Sequence, residues 1–147
     1  MEERRESRYG EKAVEYFAEG YNCAQSVFLA FADLYEDQVD RETAALLASG
    51  FGGGMGGLRE MCGAVSGMFL AADLLYGHKL ADPVTKMNLK YRLQELAGAF
   101  QKENGSYLCR ELLSMPQMPG QAGSVCDRAV YSAAAILEAY MEKEKKE

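Results

Sequence analysis

Hydrophobic residues recur every three to four positions along most of the chain, and no segment shows the apolar–polar alternation of strands. The first such segment, residues 8–19, ends at Gly20, and the next two begin at capping residues, Asn22 and Asp40. Their expected apolar faces are Ala13, Val14, Phe17 and Ala18; Cys23, Val27, Ala30, Phe31 and Leu34; and Ala44, Leu47 and Ala48. The pattern predicts three amphipathic helices.

Residues 50–57 contain six glycines in eight positions, and this density predicts an irregular loop. We expect the loop to let the backbone pass close to its neighbours, with a nest of N–H groups for an anion as the less favoured alternative. From about Cys62 to Tyr76 the chain is apolar on nearly all sides, which predicts a central buried helix. Gly63 and Gly67 lie four positions apart on that helix, a spacing that permits close packing or the approach of a cofactor.

The second half of the chain carries its own start and stop signals. Asp82-Pro83 predicts the start of a long helix that ends near Asn104-Gly105. Ser106 is expected to open a short helix, residues 115–123 an irregular loop, and the Ser124/Asp127 pair a last helix whose charged tail frays after residue 141. The sequence therefore predicts an all-α protein: one compact bundle of about five to six helices, forming a single domain over residues 1–147.

Composition and charge narrow the class of protein. Hydrophobic residues make up 48% of the 147 positions and charged residues 26%, as is typical of globular proteins. The net charge of −6 disfavours binding to nucleic acid or to an anionic membrane. Since no secretory signal and no membrane-spanning run is present, we expect a cytoplasmic location, where thiols stay reduced.

The four cysteines are the residues most suited to chemistry. Cys23, Cys62, Cys109 and Cys126 each fall in or near the first turn of an expected helix, where unpaired N–H groups and the helix dipole favour a thiolate. Four such helix starts around one point would stabilise a cluster of thiolates. Each cysteine also lies on an apolar stripe, so an inert core cysteine is the competing interpretation at every position.

The spacing of the cysteines excludes several familiar sites. They are separated by 39, 47 and 17 positions, so the chain has no CxxC pair and no ferredoxin spacing. A zinc ribbon and a thioredoxin-like dithiol are therefore not indicated. Any shared site must be assembled by tertiary structure alone.

The motifs around the cysteines resemble those of a known family. The chain reads Gly-Tyr-Asn-Cys-Ala-Gln at 20–25 and Cys-Gly-Ala-Val-Ser-Gly at 62–67, with lone cysteines at 109 and 126. In this order it resembles the small redox-active proteins named for a cysteine, a CGAxxG motif and two further cysteines. It is also similar to the non-haem iron region of split-Soret cytochromes, although it has no CxxCH motif and only one histidine, His78.

The resemblance implies redox activity centred on Cys23, Cys62, Cys109 and Cys126, with a [2Fe–2S]-type iron–sulfur cluster bound by all four. Our leading hypothesis is an electron-transfer protein that works with an unidentified redox partner protein, and the sequence leaves a homodimer open. The alternatives are a metal-free thiol–disulfide protein or sensor that uses two of these cysteines, a zinc scaffold, and an interaction module with inert thiols.

Three arginines, Arg59, Arg110 and Arg128, lie close in sequence to cysteines and could lower thiol pKa values, although surface positions are the default expectation. Asp73 is unusual within an apolar helix, where it could pair with Arg59 or Arg110 or face outward.

Overall fold

The computed structural model describes residues 6–116 and 123–146, and this part of the chain confirms the all-α fold. Its seven α-helices are α1 (Arg8–Ala18), α2 (Cys23–Ala32), α3 (Arg41–Ala48), α4 (Gly63–Tyr76), α5 (Pro83–Asn104), α6 (Cys109–Ser114) and α7 (Val125–Lys146). Two short 3-10 turns, Asp33–Tyr35 and Ser49–Phe51, extend α2 and α3. Residues 117–122, which belong to the loop expected at 115–123, lie outside the described residues.

Side-chain caps set most of the helix starts, as the sequence predicted. Asn22 and Gln25 form a reciprocal capping box at α2, while Asp40 and Asp82 accept N–H bonds at the starts of α3 and α5. At α7, Ser124 and Asp127 bond each other's backbone N–H groups. Because a cap acts within one turn, these boundaries depend on local sequence.

The core lies where α2, α4 and α7 meet, with α1 and α5 packed around them. Its largest fully buried side chains include Phe31, Phe100, Leu29 and Met68. Every residue of α4 except Asp73 is buried or half-buried, which confirms that α4 is the central buried helix. This arrangement brings the N-terminal ends of α2 and α4 side by side.

Several expectations about individual residues were wrong. Leu34, Leu47 and Ala18 are exposed rather than inward, because periodicity identifies a stripe but not whether a neighbour covers it. Ser106 does not open α6: it makes a turn, accepting the Leu108 N–H, and the helix begins at Cys109. The charged tail continues α7 to Lys146.

Candidate site: a pocket lined by four cysteines

All four cysteines lie at helix starts. Cys23 is the first residue of α2, Cys62 is the N-cap of α4, Cys109 is the first residue of α6, and Cys126 is the second residue of α7. All four are free thiols; Cys62 and Cys109 are buried, and Cys23 and Cys126 are half-buried. The sequence-based placement of the cysteines is confirmed.

A short antiparallel bridge joins the chain segments that carry Cys62 and Cys109. Met61 pairs with Leu108, the Cys62 N–H donates to the Tyr107 carbonyl at 2.8 Å, and the Cys109 N–H donates to the Glu60 carbonyl at 2.6 Å. Each cysteine directly follows its bridge residue and leads into a helix. The bridge joins segments 47 positions apart, and no alternating apolar–polar pattern in the sequence predicted it.

Two glycines of α4 let α2 approach closely enough for Cys23 to reach the same region. A Cβ at residue 63 would lie 3.1 Å from the Cys23 Cβ, and a Cβ at residue 67 would lie 2.4 Å from the Ala24 carbonyl oxygen. Residue 67 has no room for a side chain beside α2, and a Cβ at residue 63 would fit only if its neighbours shifted by a few tenths of an ångström. The expectation of close packing at Gly63 and Gly67 is therefore confirmed, and its consequence is the position of Cys23.

The glycine-rich loop packs directly on the cysteine site. A Cβ at Gly54 would lie 2.7 Å from the Cys109 Cβ and 2.6 Å from the Arg59 Cα, and Gly54 itself has a φ of +75°. Both conditions require glycine. Of the two roles considered for the loop, this geometry supports close passage of the backbone beside the cysteines.

One pocket of about 240 Å³, open on one side, is lined by all four cysteines. The rest of its wall combines Arg59, Asn22 and three glycines with apolar side chains: Phe17, Leu112, Leu113, Val125 and Ala129. Residues from the helix starts of α2, α4, α6 and α7 and from the glycine-rich loop thus meet in one cavity. Convergence of the predicted site residues is a finding of the tertiary structure; their role as ligands stays a prediction.

Cys23 and Cys126 form a hydrogen-bonded pair of thiols within this pocket. The bond to Cys23 stabilises the Cys126 thiolate and lowers the pKa of Cys126 to about 6, against the opposing effects of burial and of Asp127. The same bond, with burial, raises the pKa of Cys23 far above its ordinary value. The pair therefore holds one proton, which stays on Cys23 and is donated in the hydrogen bond to the Cys126 thiolate.

Cys62 has a different environment. Burial raises the pKa of Cys62 to about 11, although the backbone N–H groups of Ala64 and Val65 at the start of α4 lower it in part. Charge repulsion from the neighbouring cysteines, Cys109 and Cys126, adds to the rise. Helix starts alone therefore do not keep a thiol ionised here, because desolvation outweighs the N–H groups.

The pKa values predict selective alkylation of Cys126. In metal-free, reduced protein, reaction of Cys126 with iodoacetamide is expected to rise with pH to a plateau with its midpoint near pH 6, since the thiolate is the nucleophile and forms above the pKa. Cys62 should stay unmodified over the same pH range, because burial raises its pKa. Peptide mass mapping after short pulses measures both. A midpoint for Cys126 at the ordinary thiol value would contradict the hydrogen-bonded pair.

Of the three arginines near cysteines in sequence, Arg59 is the one that lines the pocket. Its Nη1 lies 3.7 Å from Cys109 Sγ, whereas Arg110 pairs with Glu60 at 2.8 Å. Asp73 is exposed, so the outward-facing alternative is correct for it. The sequence could place Arg59 near Cys62 but not beside Cys109, because that contact joins residues 50 positions apart.

Two other kinds of feature are absent from the described ranges. No three His, Cys, Asp or Glu side chains of residues 6–116 and 123–146 lie together as one metal-ion site. In the same part of the chain, no helix has the length and apolarity needed to span a membrane.

An all-α protein with four free thiols around one pocket is the class that the fold and the site define. The chain belongs to the family described as "Putative redox-active protein (C_GCAxxG_C_C)", whose model matches residues 21–140 and includes all four cysteines. The family pattern is written Gly-Cys-Ala, whereas this chain reads Cys62-Gly63-Ala64 before the shared xxG. No curated protein and no solved structure has a significant match to the chain.

Proposed function

We propose that this redox-family protein binds an iron–sulfur cluster of the [2Fe–2S] type through Cys23, Cys62, Cys109 and Cys126 and acts in electron transfer. One observation carries the proposal: four thiols from the starts of four helices line a single pocket. The cysteines fall into two groups: Cys23 and Cys126 share a hydrogen bond, and the backbone bridge joins the segments that carry Cys62 and Cys109.

The donor set fits such a cluster. A [2Fe–2S] cluster takes four thiolates, two at each iron, so it requires two pairs of sulfur atoms and not four around one ion. The pairing of the cysteines agrees with this requirement. Helix-start N–H groups at Cys62 and the guanidinium at Cys109 supply hydrogen-bond donors to sulfur, and such donors compensate the negative charge of thiolate ligands.

When bound, such a cluster would supply one-electron transfer at a potential set by its surroundings. The chain's own part is to hold the ligands and to limit solvent. The hydrogen bonds of the bridge hold the backbone at Cys62 and Cys109, and both side chains are buried. The half-buried pair, Cys23 and Cys126, lies nearer to solvent, so we place the approach of a redox partner protein on their side of the pocket.

Anaerobic purification followed by iron and acid-labile sulfide assays tests the proposal. We expect about two irons and two sulfides per bound cluster, with visible absorbance from the thiolate–iron bonds. A colourless protein that takes up neither element after reconstitution would rule the cluster out. The alkylation pattern gives an independent readout: a bound cluster should protect all four cysteines together.

The Cys23–Cys126 hydrogen bond favours a second candidate, a metal-free thiol–disulfide protein. The Cys126 thiolate would attack a low-molecular-weight disulfide, forming a mixed disulfide and releasing one thiolate. Cys23 would then lose its proton and displace the second thiolate, leaving a Cys23–Cys126 disulfide; the protein gives up two electrons and the substrate becomes two thiols. Titration with a glutathione redox buffer and mass mapping would detect this bond.

A further inference from the structure

We propose that Arg59 sets the reduction potential of the cysteine pocket by holding its guanidinium against Cys109. This inference rests on the proposed redox function of the pocket and adds a positioning residue to it. The carrying observation is the Nη1–Sγ contact of 3.7 Å between side chains of two separate segments. A hydrogen bond to a ligand sulfur and the local charge are two of the factors that set such potentials.

The backbone conformation at Arg59 holds its side chain beside Cys109. Arg59 has a φ of +62°, in the left-handed region that few residues other than glycine adopt. Its N–H donates to the Gly53 carbonyl at 3.0 Å, and its carbonyl accepts bonds from the Arg110 backbone N–H and guanidinium at 3.3 Å each. Several hydrogen bonds thus fix a costly conformation whose side chain points to the cysteines.

The charge balance of the pocket gives Arg59 a specific role. Among the described residues that line it, Arg59 is the one cationic side chain. Its charge also reaches Cys126, where it stabilises the thiolate, while Asp127 acts in the opposite direction. The other arginine of this region, Arg110, has its charge paired with Glu60. Removing Arg59 would therefore leave the described lining of the pocket without a positive charge.

The sign of the effect follows from charge. Reduction of a cluster adds one negative charge to the pocket, and reduction of a disulfide creates thiols that can ionise there. A facing cation stabilises the reduced state in both cases and raises the potential. Because Arg59 is exposed and water screens part of its field, we expect a tenfold change in the reduction equilibrium, about 59 mV for a one-electron couple.

Measuring the midpoint potential of the full chain tests the proposal. Arg59→Gln should lower the potential by about that amount, and Arg59→Lys, which keeps the charge, should restore most of it. Arg59→Asn serves as a second neutral variant, since asparagine tolerates a positive φ better than most residues. Lys90→Gln removes an exposed charge of α5 that does not line the pocket, and it should leave the potential unchanged.

Equal potentials in the wild type and both neutral variants would overturn the role of Arg59 while leaving the redox function intact. An equal fall in Lys90→Gln would also overturn it, because net surface charge would then explain the shift. A wild-type protein without any reversible couple, measured by both cluster absorbance and thiol–disulfide titration, would overturn the proposed function itself.

Discussion

Replacing Gly67 by alanine is expected to lower the free energy of unfolding by about 3 kcal/mol. The new Cβ would lie 2.4 Å from the Ala24 carbonyl oxygen and 3.0 Å from the Ala24 Cα. These are backbone atoms in the first turn of α2, so no side-chain rotation can relieve the contact. The helices α2 and α4 must move apart, and Cys23 moves away from the pocket with them.

Gly98 provides a matched control on α5. It is exposed in a helix, and a Cβ there would meet no atom within 4 Å. Gly98→Ala should therefore stabilise the protein by roughly 0.5 to 1 kcal/mol through backbone entropy. Urea unfolding followed by circular dichroism measures both variants. If Gly67→Ala proved as stable as Gly98→Ala, close packing of α2 and α4 would not limit residue 67.

Changing Cys126 to serine is expected to abolish the redox couple of the pocket. Under the proposed cluster function the variant loses one of four thiolate ligands, and under the thiol–disulfide alternative it loses the nucleophile. Iron content, visible absorbance and disulfide formation are each measured after reconstitution. Because Cys126 is half-buried in the first turn of α7, serine should fit there, and thermal unfolding checks that the fold survives.

Cys62→Ser separates the two functions. The cluster requires Cys62 as much as Cys126, so both variants should lose iron to a similar extent. The thiol–disulfide alternative requires only Cys23 and Cys126, so Cys62→Ser should still form the disulfide. A Cys126→Ser protein that keeps both its iron and a reversible couple would contradict both functions of the pocket.

The burial of Cys62 shows how helix position and environment compete. From the sequence, a helix start predicts a lowered thiol pKa, and the N–H groups of Ala64 and Val65 do act in that direction. Desolvation nevertheless dominates, because Cys62 lies among core residues. At Cys126 the hydrogen bond from Cys23 reverses the balance, and this partner lies on another helix. The sequence could therefore predict the position of each thiol but not its ionisation.

Local sequence determined the helices and the placement of each cysteine at a helix start. Capping side chains and hydrophobic periodicity act within one or two turns, so Asn22, Asp40 and Asp82 could be interpreted without a structure. The order of the cysteine motifs also identified the family over most of the chain. Surface and core were less predictable: Leu34 and Leu47 followed the apolar stripe, but both side chains are exposed.

Only the tertiary structure decided how the four cysteines meet. Three contacts build the site, and each joins distant parts of the chain. They are the bridge between Met61 and Leu108, the contact of Arg59 with Cys109 and the Cys23–Cys126 pair, which span 47, 50 and 103 positions. Such contacts depend on how closely whole helices pack, and here that distance is set by the missing side chains of Gly63 and Gly67. A sequence shows that these residues are glycines, but the neighbour that each one admits is fixed only when the helices are in place.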